Sequence, residues 1–252
     1  MMLKSRFTAL LGAGALLFAC LPATAADYSV SPIPVAHPVG TKTGTITIRN
    51  KDTQPVHLSV RVFAWKQSAS SSMVLTPDTT LVVYPRTLNV APGEERVVRI
   101  GLPTTPITTE VAYRVLLEQL PDPKAVLNVK GSGVVVRTNI GVPVFVEPLK
   151  PTAGQKLDGA KLGANALDVT VENDGNVHIE PTSVTAVGTD ASGKQTFSVT
   201  IPGWYVLAGA TQSFHFAVPA GACASTKSVS VTAGTGHNVF KGSTTQITRS
   251  CT

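Results

Sequence analysis

Residues 131–148 read GSGVVVRTNIGVPVFVEP. Every second position from Val134 gives Val134, Val136, Thr138, Ile140, Val142, Val144 and Val146. Successive side chains of a strand point to opposite faces, so these residues share one face. All are β-branched, which suits a pleated, half-buried surface. The stretch predicts one continuous strand over 131–148, against a usual length of about 5–6 residues. The Val142–Val146 end suits a core of its own domain. The Val134 end would run beyond ordinary partner strands. An apolar strand with an unpaired backbone pairs readily with other chains. The same property lets a strand complete another protein's sheet, with its alternate side chains filling the partner's groove.

The remainder of the chain has the same period. Strands are expected at 43–49, 56–65, 81–84, 88–90, 96–102 and 111–120, with turns at 50–53 and at Pro92-Gly93. Pro148, Pro151 and Gly154 then interrupt the pattern and place a domain boundary, giving domains 26–148 and 149–252. A second series is expected at 166–172, 177–187, 196–201, 212–218, 227–232 and 239–248. Asp174-Gly175 predicts a hairpin turn, and the serine-rich residues 68–72 read as a flexible loop. Almost nothing has a helical period. Short alternating strands with turn signals between them predict an all-β chain of two sandwiches.

The first 25 residues, MMLKSRFTALLGAGALLFACLPATA, have a charged start at Lys4 and Arg6, a short apolar run and small residues at Ala23 and Ala25. That is the layout of a secretory signal peptide with cleavage after Ala25. A competing reading makes Cys20 a lipidated residue, with Phe18 a poor fit to such a site. Removal of the signal leaves 227 of 252 residues and lowers the formal charge from +6 to +4. The remaining excess lacks the dense Lys/Arg clusters of a nucleic-acid face. No later segment is apolar for long enough to predict membrane insertion.

Cys223 and Cys251 remain in the exported chain, where an even pair reads first as a disulfide. They fall near the ends of the last two expected strands, and two free thiols are the alternative. His37, His57, His178, His215 and His237 are scattered without metal-ligand spacing, so no metal or other cofactor is expected. No nucleophile elbow, phosphate-binding loop, dinucleotide fingerprint or zincin helix occurs, and no catalytic residue or small-molecule substrate is assigned. Trp65, Trp204 and Tyr205 are candidates for a sugar platform, with core packing as the alternative.

Several stretches together resemble the periplasmic chaperones of the chaperone–usher pilus pathway, the PapD-like family. They are Ser31-Pro32, GTITIRN at 44–50, VRVFAW at 60–65, LVVYP at 81–85, LNVAPG at 88–93, VVRI at 97–100, EVAYR at 110–114 and GVPVFVEP at 141–148. In the second half, NDGNVH at 173–178 and GWYVLAG at 203–209 are similar to the archaic branch. The resemblance implies two immunoglobulin-like β-sandwich domains set at an angle with a cleft between them. It also implies a periplasmic chaperone that captures pilin subunits by donating a strand and delivers them to an outer-membrane usher. Val134, Val136, Thr138 and Ile140 are then the donor side chains, Thr138 being smaller and more polar than donors usual in that family. Classical members of the family anchor the subunit's C-terminal carboxylate with two basic cleft residues, one on the first strand and one on the last; Pro34 and Pro143 occupy the matching positions here. Arg99, Arg114 and Arg137 are the remaining basic candidates. The alternative is an exported two-domain adhesin or structural pilus subunit whose long strand packs internally.

Overall fold

A computed structural model describes residues 27–68, 70–103, 105–121, 136–234, 236–237, 241–244 and 247–251. Alternation of side chains explains the elements of the first half. In β3 (Thr43–Asn50), Ile46 and Ile48 point inward while Thr45 and Arg49 remain outside. The strand lies in a sheet ordered β1 (Tyr28–Ser31), β3, β8 (Glu95–Gly101), β6 (Val82–Tyr84). The facing sheet runs β2 (Val35–Pro38), β10 (Asn139–Glu147), β9 (Val111–Gln119), β4 (Val56–Gln67), β5 (Met73–Pro77), and β7 (Thr87–Val90) also pairs with β4. Between them lies a core that includes Ile46, Leu58, Val98, Ile100, Val115, Leu117, Val142, Val144 and Val146.

The second half repeats the plan. One sheet is ordered β16 (Thr211–Ala217), β12 (Ala166–Glu172), β11 (Lys156–Gly163), β20 (Ile247–Ser250). The other is β15 (Gln195–Pro202), β14 (Ser183–Thr189), β17 (Ser228–Ala233), β19 (Lys241–Thr244). A small pair, β13 (Glu180–Pro181) and β18 (Gly236–His237), flanks them. Leu162, Val169, Val184, Phe197, Phe214, Phe216 and Val231 fill the enclosed core. The one helical turn among the described residues, α1 (Ala222–Ser225), precedes β17. The chain is therefore two all-β sandwiches, and among the described residues no sheet takes strands from both halves.

The structure corrects several expectations. The strand expected over 131–148 begins, among the described residues, at Asn139; Val136 to Thr138 lie outside it, and Val134 is not among them. Asp174-Gly175 does not close a hairpin. The strand before it, β12, pairs with β11 and β16, whereas β14 after it pairs with β15 and β17, so the chain changes sheets there. The crossing is held by Asn173, fully buried, whose side-chain amide donates to the carbonyls of Val177 (2.8 Å) and Val206 (2.9 Å). The single strand expected at 239–248 is two strands in different sheets, since β19 pairs with β17 and β20 with β11. Strands β1, β2, β5 and β11 were not expected. In β11, Gly159 and Gly163 interrupt the apolar alternation that marks the other strands.

Cys223 and Cys251 form a disulfide with Cα atoms 5.7 Å apart. It does not join two paired strands as the sequence suggested. Cys223 lies in α1 and Cys251 directly follows β20, whose partner is β11. The bond therefore fastens the terminal strand to the helical turn.

Candidate functional site: the open edge of β10 and the junction at its base

Strand β10 uses both faces. Val142, Val144 and Val146 enter the first core, while Phe145 packs in a cluster shared with the second half and Pro143, on the same face, is also buried. Along the inward face burial falls toward the N-terminus. Val142 and Val144 are fully buried, Ile140 is partly buried against the core, and Val136 is 45 % exposed. The core therefore covers only the C-terminal part of the stripe.

The backbone of β10 shows the same division. On one side β9 pairs with it throughout, from Asn139↔Glu118 to Val146↔Val111. On the other side β2 pairs in parallel with Val144 to Glu147 only. Backbone groups of alternate residues point to opposite sides of an antiparallel strand. The carbonyl of Thr138 accepts from the Gln119 N–H (3.2 Å) on the β9 side, whereas that of Glu147 accepts from the Val39 N–H (2.8 Å) on the β2 side. By this parity Asn139, Gly141 and Pro143 direct their backbone groups toward the uncovered side. Among the described residues the result is an open edge at Asn139–Pro143, and Pro143 brings no N–H to it.

One guanidinium lies over this edge. In β9, Tyr113, Val115 and Leu117 enter the first core, so Arg114 projects from the opposite face. Its side chain crosses β10 where Gly141 has no side chain, and Nη1 donates to the Gly141 carbonyl at 3.0 Å. A Cβ on Gly141 would meet Leu116 at 3.1 Å and Arg114 at 3.9 Å. The guanidinium stacks 4.0 Å above the Trp65 ring and lies 5.5 Å from that of Tyr205. Burial lowers its pKa, opposed by the neighbouring Tyr205 and Glu180. Burial, followed by Glu180, raises the Tyr205 phenol. Arg114 Nε has no hydrogen-bond partner among the described residues, an uncompensated donor that costs about 1–3 kcal/mol.

The other two arginines lie elsewhere. Arg99 is exposed on β8, in the sheet that does not contain β10, with Thr45 and Tyr84 as its cross-strand neighbours. Arg137 is exposed just before β10. Of the candidate anchors, the fold brings Arg114 to the edge.

Beneath Arg114 the halves meet. Trp65, Ala112, Phe145 and Leu207 form a third buried cluster, joined by Tyr205. His178, 1 % exposed, stacks on Phe145 with ring centres 3.7 Å apart and planes inclined by 14°. Its Nδ1 is 2.9 Å from both carboxylate oxygens of Glu110, one of which also accepts the His178 backbone N–H at 3.1 Å. Asn176 donates to the carbonyls of Thr108 and Lys150, both at 3.0 Å. Gln67 donates to the Tyr205 carbonyl (2.7 Å) and accepts from the Leu207 N–H (2.7 Å). A cavity of about 360 Å³ beside the junction is lined by Trp65, Gln67, Glu110, Leu207 and Gly209.

Nothing in the sequence marked His178, Glu110 and Phe145 as neighbours. The apolar residues on both faces of VAYRVLL did signal that the outer face of β9 is covered. The serine-rich loop is docked rather than free: Ser71 Oγ donates to the Thr211 carbonyl (3.3 Å) and accepts from the Ser213 N–H (2.9 Å). Trp65 is 2 % exposed and serves the junction, which excludes a sugar platform built with Trp204 and Tyr205. Among the described residues no cluster of His, Cys, Asp and Glu is arranged to hold a metal ion, and no helix is long and apolar enough to cross a membrane.

Solved structures with this fold include the chaperone–tip adhesion subunit pre-assembly complex CsuC–CsuE from archaic Csu pili of Acinetobacter baumannii. The match is 15 % identical with a TM-score of 0.57, covering 89 % of this chain and 100 % of that one. The SafB chaperone complex with SafA pilin from Salmonella enterica matches at 17 % identity and a TM-score of 0.53, covering 86 % and 95 %. The CupB2 chaperone of Pseudomonas aeruginosa matches at 15 % and 0.52, covering 86 % and 100 %. At such identities the likeness shows the fold. No curated protein matches the sequence. Residues 29–151 match the family of pili and flagellar-assembly chaperones described by the PapD N-terminal domain. The first half therefore matches the PapD N-terminal domain, and the two-sandwich fold of the pilus-chaperone structures extends along nearly the whole chain.

Proposed function

We propose that this protein is a periplasmic chaperone that captures exported pilin subunits by lending them the N-terminal part of its β10 stripe, then delivers them to an outer-membrane usher. The observation that carries the reading is the coincidence of an open backbone edge at Asn139–Pro143 with an apolar face that its own core stops covering at Ile140. Val136, Thr138 and Ile140 are the donor side chains within the described part, and Val134, the fourth in the sequence alternation, lies outside the described residues. Arg114, which lies across that edge, is the anchor we favour for a terminal carboxylate of the subunit; a planar guanidinium suits such a group. Arg99 lies in the sheet that does not contain β10, and Arg137 is exposed on the lent segment itself. We place the domain boundary at 148/149, after a signal peptide of residues 1–25, and assign the protein no catalytic activity. The archaic branch is the one its second-half motifs favour.

Exchange of one strand for a better-packed one runs downhill and needs no nucleotide. The test is co-expression of the tagged full chain with a pilin subunit, followed by purification from the periplasm and amide exchange on the complex. The expected result is a one-to-one complex with new protection at Arg137, Asn139 and Gly141. Failure to hold any pilin, or protection confined to another surface, would favour a structural subunit instead.

A further inference from the structure

The contacts of Thr138 go beyond what donation alone requires. Its N–H donates to Gln119 Oε1 at 3.1 Å, and its carbonyl accepts from the Gln119 N–H at 3.2 Å and from the Tyr28 hydroxyl at 3.1 Å. In a continued ladder the Gln119 carbonyl would receive the Thr138 N–H. Here the side-chain amide oxygen takes that place. Beyond Gln119 the chain still follows β4, where the Leu120 N–H donates to the His57 carbonyl (2.8 Å). Tyr28 comes from the opposite sheet. It is 8 % exposed, paired with Asn50 through β1 and β3, and its ring lies in the first core. Its hydroxyl thus reaches across the sandwich to the first residue outside β10. Two residues further on, Val136 is exposed.

We infer that Tyr28 and Gln119 are positioning residues that clamp the backbone of Thr138 and fix where the lent segment leaves the chaperone. The inference rests on the strand-donation reading above. With its N–H and both carbonyl lone pairs taken, Thr138 offers a partner only its side chain. The backbone groups open to pairing are then those of Arg137, Asn139 and Gly141. The clamp sets the register of the borrowed strand, because a one-residue slip would turn the apolar face away from the groove. It also removes disorder from the segment before binding, which improves affinity without new contacts.

The test compares the full-length protein with Tyr28→Phe, Gln119→Leu and Gln119→Glu. Residue-specific amide exchange is measured on each free protein by NMR. Loss of one hydrogen bond should speed exchange at Thr138 about fivefold, while Val142, Val144 and Val146 are unchanged. Gln119→Glu should restore protection, since a carboxylate oxygen accepts the same N–H. A merely structural role would change exchange throughout the core and would not distinguish Glu from Leu at 119. In a second arm each variant is co-expressed with a pilin subunit, and the Phe and Leu variants should release it faster. Wild-type exchange at Thr138 in both the Phe and Leu variants overturns the clamp. A wild-type protein that holds no pilin overturns the donation reading, and the exchange arm still decides whether the clamp exists. If Tyr28→Phe fails to fold, Gln119→Leu against Gln119→Glu decides it alone.

Discussion

Substituting Val136 by Asp separates strand lending from internal packing. In the free protein Val136 is 45 % exposed and lies outside any strand. Surface substitutions of that kind stay within about 0.5 kcal/mol. For a chain of this size that is a shift in Tm of under about 2 °C. In the proposed complex the same side chain is buried. Complete burial of a valine is worth roughly 1.5–3 kcal/mol, and an unpaired carboxylate in its place adds a desolvation cost. Since about 1.4 kcal/mol is tenfold in affinity, capture should weaken by at least about tenfold. Val144→Asp is the contrasting variant: Val144 is fully buried in the first core, and a charge there should unfold the free protein. Ile140 is partly buried against that core, so Ile140→Asp should lower both Tm and capture. Thermal melting by circular dichroism and dissociation of a co-purified pilin are measured on the same preparations. Strand donation through this face is refuted if Val136→Asp melts normally and releases pilin at the wild-type rate. A fall in Tm as large as that of Ile140→Asp would show instead that the stripe is internal core along its whole length.

Arg114→Lys keeps a charge but loses the planar stack on Trp65, which is worth about 0.5–2 kcal/mol; Tm should fall modestly in melting curves and pilin retention should fall clearly in pull-downs. Glu110→Ala removes the acceptor of the His178 backbone N–H and the partner of its ring, and each buried hydrogen bond lost costs about 1–3 kcal/mol, readable in urea unfolding. Cys223→Ser with Cys251→Ser opens a loop spanning 28 residues and should cost on the order of 3 kcal/mol in the same assay, whereas peptide mapping of the unreduced wild type should find a single linked pair. N-terminal sequencing of the exported protein should begin at Ala26, and a lipid-modified start at Cys20 would contradict the signal-peptide reading.

The sandwich architecture was legible because its strands bury one face each, so Ile46/Ile48 and Val98/Ile100 stand out against polar neighbours. Strands without that contrast were missed: β5 at the sheet edge is largely exposed, and β11 carries two glycines. The alternating stripe of β10 was legible for the same reason, but its length was overread. Sequence alternation continues from Val146 to Val134, whereas the ladder ends where Gln119 substitutes its side chain for its carbonyl. A polar residue at the end of a strand ordinarily reads as solvated, so the role of Gln119 had no signature. The junction was illegible for a different reason. Glu110, Phe145, His178 and Tyr205 come from four separate segments, and only folding makes them neighbours. Arg114 was one of three equivalent arginines in sequence; the bare backbone at Gly141 is what lets its side chain reach the edge.

On the strand-lending reading, the edge of β10 must stay soluble until a partner arrives. Long, flat apolar edges aggregate, and proteins blunt them with charge, with proline or by covering. All three occur along β10. Coverage by β2 begins at Val144, where the stripe is already core. Pro143 removes an N–H at the inner limit of the open edge, so a visiting strand loses a ladder bond there and its pairing ends short of the junction. Arg114 occupies the carbonyl of Gly141, the next group outward, and a visiting strand or carboxylate must accommodate it. Beyond that, exposed Arg137 and Asn139 alternate with the apolar side chains and place a charge and an amide on the opposite face. Among the described residues, the accessible backbone is thereby confined to Arg137, Asn139 and Gly141, on either side of a clamped Thr138 and short of a prolyl stop. On the same reading, a segment so short gives a second copy of this chain too little ladder to pair with stably, while a pilin with an unfilled groove gains side-chain burial as well as backbone bonds. Discrimination between the two partners then comes from the groove rather than from the edge.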